Sequence, residues 1–166
     1  MKLSKETKNI LEEYGWTPDR TIDITKYVQF LESKGYIVFD IVRKFLIQFG
    51  ELRLQHPHYV EPTPEQYTKY KLKPYKILHF NSIDAARGIF IENIKCYEER
   101  IGEKLTPIGE AHDGYLVLMI SESGKMYGAF DDYLTLLGNS YEEGIEAIYQ
   151  RLKTPEIPIK NTCKKI

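Results

Sequence analysis

The chain of 166 residues has only two cysteines, one tryptophan and no long apolar run. Its longest apolar segment, residues 115–120, has six residues, whereas a membrane-spanning helix needs about 20. The N-terminus is polar and lacks the apolar segment of a secretion signal. Cys96 and Cys163 have no CxxC spacing, and we expect both to be reduced thiols. The sequence therefore predicts a cytoplasmic protein that does not enter a membrane.

A large net charge is also missing, since the formal total is −1. The distribution is nevertheless uneven, because residues 110–146 carry eight acidic side chains and a single basic one, Lys125. Phosphate binding needs clustered positive charge, so we do not expect nucleic acid as a ligand. Two interpretations of the acidic stretch stay open. It is either a solvated face or a surface that attracts a basic partner.

Patterns that indicate catalysis or metal binding are missing as well. The sequence has no GxxxxGK[ST], GxGxxG, HExxH or GxSxG motif. His56, His58 and Glu61 would make an incomplete zinc site, and the three prolines of residues 56–64 favour exposed loop histidines instead. Adjacent carboxylates such as Asp131 and Asp132 point to different sides of an element and form no acid–base pair. We therefore expect no enzyme, no cofactor and no metal ion.

The spacing of apolar residues predicts an α+β fold. Three N-terminal helices end at Gly15, Gly35 and Gly50, one long helix begins at Asn81 or Ser82, and a capping box at Ser140 opens a C-terminal helix. Strand-like segments are 52–54, 75–80, 105–110, 115–120 and 125–130. We expect the N-terminal helices to pack on an antiparallel sheet, in a single domain of residues 1–153 followed by a polar tail, 154–166.

Candidate partner contacts are acidic or aromatic. Trp16 packs beneath a helix junction near Arg20 or else contacts a partner, because Trp, Tyr and Arg dominate interface hot spots. A polar, tyrosine-rich loop, residues 56–75, is long enough to suggest a functional role. The candidate contact residues are Asp131, Asp132, Glu110, Asp113, Glu122, Glu142, Tyr59, Tyr67, Tyr70 and Trp16.

Five short motifs occur in a recognisable order. They are GWTPDR at 15–20, FLIQFGEL at 45–52, PIGE at 107–110, ISESGKMY at 120–127 and LG at 137–138 before an acidic-capped helix. This series resembles the third subfamily of the SUKH superfamily (Syd, US22, Knr homology) over residues 3–152. The segments 56–75 and 154–166 lie outside the pattern.

The resemblance implies an α+β immunity protein of a bacterial polymorphic toxin system. Such a protein binds and neutralises a cognate toxin, often a nuclease. A nuclease needs a basic surface to hold phosphate, so carboxylates within residues 110–146 suit that partner. The alternative implied by the same resemblance is a non-catalytic intracellular scaffold or regulatory domain that binds another protein.

Overall fold

The computed structural model describes residues 3–160. Within this range the helices are α1 (Lys5–Glu13), α2 (Thr25–Ser33), α3 (Asp40–Phe49), α4 (Pro64–Tyr70), α5 (Ser82–Arg87), α6 (Ile91–Ile101) and α7 (Tyr141–Tyr149). The strands are β1 (Arg53–His56), β2 (Lys76–His79), β3 (Leu105–Ala111), β4 (Leu116–Ser121), β5 (Met126–Phe130) and β6 (Tyr133–Gly138). A short 3₁₀ turn, His112–Gly114, joins β3 to β4.

The strands form one antiparallel sheet whose order follows the chain from β1 to β6. The α+β prediction is therefore confirmed. The junction between β2 and β3 is narrow, and its paired residues are His79 and Glu110. Gly109 lies at this junction, where a Cβ atom would be only 2.6 Å from the His79 carbonyl oxygen. Glycine therefore lets the two strands approach each other.

The three N-terminal helices are confirmed, and local chemistry explains their ends. The Ser4 hydroxyl accepts a hydrogen bond from the Thr7 amide (3.1 Å) and so caps α1. Gly15 and Gly35 follow α1 and α2 with φ angles of 90° and 86°. Glycine adopts such left-handed conformations without the steric cost of a side chain. The two glycines therefore end α1 and α2.

An aromatic cluster joins the helices to the sheet. The Phe45 side chain on α3 is 0% exposed, and its ring centre lies 5.2 Å from Phe49, 5.0 Å from Phe80 and 5.4 Å from Tyr141. Phe80 follows β2, and Tyr141 begins α7. Because these rings come from both ends of the chain, their burial supports a single folded domain.

A buried carboxylate ties α7 to the start of α1. Glu146 is 4% exposed and accepts hydrogen bonds from the Ser4 amide and from the Thr7 hydroxyl. Such donors offset the cost of burying a charge. The predicted cap of α7 is also present, because the Ser140 hydroxyl accepts a bond from the Glu143 amide (3.2 Å).

The single long helix predicted from Asn81 is wrong, since the structure has two helices there. Helix α5 ends at Gly88, and Phe90 is extended (φ −73°, ψ 140°) before α6 begins. A Cβ atom on Gly88 would lie 2.8 Å from the Glu110 Oε1 atom. Glycine leaves room for the Glu110 side chain here, and it also weakens a continuous helix.

Two further elements were not predicted. The supposed loop 56–75 contains α4, which begins with a capping box between Thr63 and Gln66. Strand β6 forms the last strand of the sheet, and residues 154–157 run beside it. The Ile157 amide donates to the Leu134 carbonyl (2.8 Å), and Thr135 faces Glu156. The first residues of the predicted polar tail therefore cover part of the β6 edge.

The expectation of a reduced Cys96 is wrong, because this residue of α6 is disulfide-bonded and the described chain has no free cysteine. Cys163 lies outside the described residues. Residue spacing alone does not reveal a disulfide pairing. None of the helices in residues 3–160 is long and apolar enough to span a membrane.

Candidate partner-binding surface

The structure divides the predicted acidic residues between the two ends of the sheet. Glu110 and Asp113 lie at the β3–β4 end, which antiparallel topology also makes the end of the β5–β6 turn with Asp131 and Asp132. Glu122 lies at the other end of β5, roughly 17 Å of strand away. Glu142, in the first turn of α7, belongs to that other end too. The acidic stretch is therefore not one continuous surface.

Three of these carboxylates are already bonded or partly buried within the fold. Asp113 accepts hydrogen bonds from the Ile77 amide (2.8 Å) and from the Lys76 ammonium (2.9 Å). Burial raises the pKa of Asp113, but these donors outweigh it and the net pKa is lowered. Glu110 has a raised pKa because it is partly buried and close to the charge of Asp84. Glu142 is partly buried in the first turn of α7.

Asp131 and Asp132 are exposed at the tip of the β5–β6 hairpin. Their backbone is fixed from α6, because the Tyr97 hydroxyl donates to the Asp131 carbonyl and Arg100 donates to the Asp132 carbonyl (2.8 Å). Asp131 has a φ of 45°, which points to a tight turn. Neither carboxylate forms an ion pair with any residue in 3–160. The fold thus presents two adjacent negative charges on a rigid turn.

Trp16 does not belong to the exposed surface. Its side chain is 4% exposed and stacks on Phe49 at 5.8 Å between ring centres. Arg20 donates instead to the carbonyls of Gln48 and Gly50 (both 2.9 Å). The structure therefore supports the packed interpretation of Trp16 and corrects its inclusion among the partner contacts.

The three candidate tyrosines have different environments. Tyr59 follows β1 and is 51% exposed, and Tyr70 at the end of α4 is 60% exposed. Tyr67 donates from its hydroxyl to Glu61 (2.5 Å) and packs edge-on against His58. Glu61 also pairs with Arg151 (2.7 Å), which links the α4 segment, defined as residues 56–75, to the chain just after α7.

Beside the acidic turn lies an apolar groove with a volume of about 340 Å³, here named the aromatic groove. Its lining includes Phe130 and Tyr133, which flank the two aspartates in the sequence and whose rings stack on each other with 4.9 Å between their centres. Tyr115 is 77% exposed and Leu152 is 50% exposed. The complete lining is Tyr59, His112, Tyr115, Leu116, Phe130, Tyr133, Thr135, Leu137, Ala147, Ile148, Leu152 and Thr154.

The groove brings together residues that are far apart in the sequence. Tyr59 comes from the α4 segment, Tyr115 from the β3–β4 turn, Phe130 from the β5–β6 hairpin, and Ile148 and Leu152 from the end of α7 and beyond. Sequence reasoning selected Tyr59, Asp131 and Asp132 but missed the other residues. The only local signal was the position of aromatic residues directly beside two turns.

A pair of histidines stands behind one wall of the groove. His112 lines the groove, and its ring lies edge-on to His56 with 4.6 Å between ring centres. The expectation of exposed loop histidines is wrong, since His56 is 2% and His58 is 6% exposed. The His56 Nδ1 atom donates to the Pro57 carbonyl (2.9 Å), and its Nε2 atom accepts from the His112 amide (3.1 Å). Burial, with the charge of His112, lowers the pKa of His56 to about 4.

These histidines do not assemble a metal site in the described chain. No group of three or more His, Cys, Asp or Glu side chains between residues 3 and 160 is arranged to hold a metal ion. His58 instead bonds through Nε2 to the Lys73 carbonyl (2.8 Å). What this end of the molecule offers is therefore an aromatic surface with carboxylates beside it, which is typical of protein recognition.

Comparison with known protein families shows the family to which the chain belongs. The family described as SUKH-3 immunity protein matches residues 3–151, which include every element from α1 to α7. The chain belongs to the SUKH-3 immunity protein family. Neither a curated protein nor a solved structure matches it significantly. The SUKH-3 match covers the α4 segment, which the resemblance in the sequence had left outside its pattern.

Proposed function

We propose that this SUKH-3 family protein binds a cognate secreted toxin in the cytoplasm and neutralises it by direct contact, without catalysing a reaction. The observation that carries the proposal is the family match over residues 3–151. A single-domain immunity protein needs a surface for its partner, and the acidic turn beside the aromatic groove supplies one.

The charge of this surface favours a basic toxin, such as a nuclease. A nuclease domain carries Lys and Arg side chains that hold phosphate groups. Carboxylates are the natural protein groups to occupy such positions, because they accept charge-assisted hydrogen bonds. Asp131 and Asp132 are the strongest candidates, since both are exposed and neither forms an ion pair inside the described chain.

We rank the other candidate contacts by the exposure of their side chains and by the bonds that they already form within the fold. Tyr59 and Tyr70 are exposed, and Glu122 is exposed at the far end of β5. Four candidates contribute less, because Asp113 and Tyr67 already bond within the fold and Glu110 and Glu142 are only partly exposed. We propose no nucleic acid, membrane, metal or cofactor as a ligand.

Growth rescue tests the proposed function. The probe is a toxin domain taken from the C-terminus of a large secreted protein whose gene adjoins the gene for this chain, once such a gene is identified, and it is expressed in bacteria with and without the chain. The proposal expects that the probe alone stops growth and that the intact chain restores it. Failure of the chain to restore growth would reject toxin neutralisation and favour the scaffold alternative.

Two charge-reversal double variants test in the same experiment whether the acidic turn is part of the interface. Asp131→Lys with Asp132→Lys reverses the acidic turn, and Glu12→Lys with Glu13→Lys reverses another exposed, adjacent acidic pair on α1. The proposal expects weaker rescue from the first double variant and full rescue from the second. Equal rescue by both would remove the acidic turn from the interface.

A further inference from the structure

The aromatic groove is an apolar surface that the fold leaves open. Tyr59, Tyr115, Phe130 and Leu152 all line it, and their exposed fractions range from 48% to 77%. Single exposed apolar residues are common, but several around one concave site mark a place of interaction. Its volume of about 340 Å³ lies at the lower end of the range of ~300–1,000 Å³ for ligand pockets. The groove therefore suits a small anchoring group rather than a broad, flat surface.

The walls of the groove are held in place from several directions. Tyr97 and Arg100 fix the hairpin that carries Phe130 through the carbonyls of Asp131 and Asp132. On the opposite wall, the Thr135 hydroxyl donates to the Pro155 carbonyl (2.9 Å) and holds the chain that follows Leu152. A binding site that is already ordered loses little conformational entropy when a partner enters.

The charges around the groove specify what enters it. In the sequence, Asp131 and Asp132 lie between Phe130 and Tyr133, whose rings stack on each other, and Glu156 lies opposite Thr135 on the tail. These three carboxylates form no ion pair in residues 3–160, and Lys153 is the one similarly unpaired cation next to Leu152. The rim thus carries an excess of negative charge, which complements a positive partner.

The same charges disfavour other occupants. In a two-fold dimer built on this surface both copies would bring the same acidic turn to one interface, and the added like charge is costly. An anionic membrane surface would be repelled for the same reason.

From this geometry we propose that the aromatic groove receives an apolar side chain of the toxin that is flanked by lysine or arginine. The apolar side chain packs on Phe130 and Tyr133, while the neighbouring cation pairs with Asp131 or Asp132. This inference rests on the proposed function and specifies the part of the surface that performs it.

The test measures the affinity of the purified chain for the same purified toxin domain. Phe130→Ala and Tyr115→Ala remove aromatic rings from the groove. Phe90→Ala and Ile37→Ala are the matched controls, because Phe90 (77% exposed) and Ile37 (54% exposed) are exposed apolar side chains that do not line it. The proposal expects each groove variant to bind at least about tenfold more weakly and each control to bind within about twofold of wild type.

Thermal unfolding of each variant separates loss of binding from loss of fold. Tyr115 is so exposed that its truncation leaves the core intact, so its result stands if Phe130→Ala fails to fold. Unchanged affinity of Tyr115→Ala would overturn the inference, and so would losses confined to Phe90→Ala or Ile37→Ala. Self-association of the wild type that Phe130→Ala abolishes would also overturn it.

The two proposals fail in different ways. If the wild type neither binds the toxin domain nor restores growth, the proposed function fails and this inference fails with it. If the wild type binds and the groove variants bind equally well, the function stands and only the groove is rejected.

Discussion

Acid should destabilise the protein through one buried histidine, His56. Its ring is 2% exposed, and both ring nitrogens are engaged in a way that requires the neutral form. The Nδ1 atom donates to the Pro57 carbonyl, while the Nε2 atom accepts a bond from the His112 amide. A proton added to Nε2 would point at the His112 amide, which is itself a donor. Protonation therefore breaks the bond between Nε2 and this amide and places a positive charge in a buried site.

The sign and size of the effect follow from proton linkage. The pKa of His56 is about 4 in the folded protein, against 6.5 for an ordinary histidine. The unfolded chain therefore binds more protons between these values, and stability falls as the pH drops from 6.5 towards 4. A difference of this size is worth roughly 3 kcal/mol below pH 4, and about 2 kcal/mol between pH 7 and pH 5.

Urea unfolding at pH 7 and pH 5 measures this loss. Replacing His56 by Asn removes the titrating group, so the His56→Asn variant should lose about 2 kcal/mol less than wild type between the two pH values. Leu78→Ala is the control, because Leu78 is fully buried on neighbouring β2 and its truncation removes no titratable group. This control should be less stable at both pH values and keep the wild-type pH dependence.

An equal loss of free energy in wild type and His56→Asn would refute the argument. Such a result would mean that His56 takes up its proton at the same pH in the folded and unfolded chains. The buried neutral geometry next to His112 would then be wrong.

The remaining predictions concern packing and surface charge. Phe45→Ala should lower the free energy of unfolding by about 3–5 kcal/mol, measured by urea titration, because it opens a cavity among buried rings; an unchanged midpoint would contradict this core. Gly144→Ala should lower the free energy of unfolding by about 1–3 kcal/mol in the same assay, since its new Cβ atom would lie 2.8 Å from the Met126 Cβ atom. Wild-type stability of this variant would show that α7 shifts to accommodate the added methyl group. Asp131→Lys with Asp132→Lys should slow toxin association and flatten its dependence on salt in stopped-flow measurements; unchanged rates would place the interface elsewhere.

Local signals in the sequence were sufficient for most of the helices. The ends of α1 and α7 are marked by Ser4 and Ser140, whose hydroxyls cap them. The apolar stripe of α3 identified Phe45 as a core residue. These features depend on residues three or four apart, and such spacing can be read directly from the chain.

Helix α4 and the break between α5 and α6 could not be predicted from the spacing of apolar residues. Helix α4 has no buried residue, so it produces no apolar period, and its capping box at Thr63 was the one available signal. The break at Gly88 interrupts a spacing of apolar residues that continues on either side of it. At this break the Glu110 side chain approaches from β3, and local spacing does not contain such a tertiary contact.

The candidate site was only partly predictable for a similar reason. The exposed Asp131 and the buried Glu146 belong to the same acidic stretch, and only the contact of Glu146 with α1 distinguishes their roles. Likewise, Phe130 and Phe45 are the same residue type, yet one lines an open groove and the other fills the core. Burial is set by the packing of distant segments, which a residue's own neighbours in sequence do not determine.

The central claim is that the protein neutralises a toxin by direct contact, and a paired titration tests it most directly. The purified chain is added to the purified toxin domain while binding heat and residual toxin activity are recorded together. We expect saturable binding, with activity falling to its minimum at the same molar ratio at which binding saturates. Saturation of binding with toxin activity left intact, or no binding at all, would rule out neutralisation by direct contact.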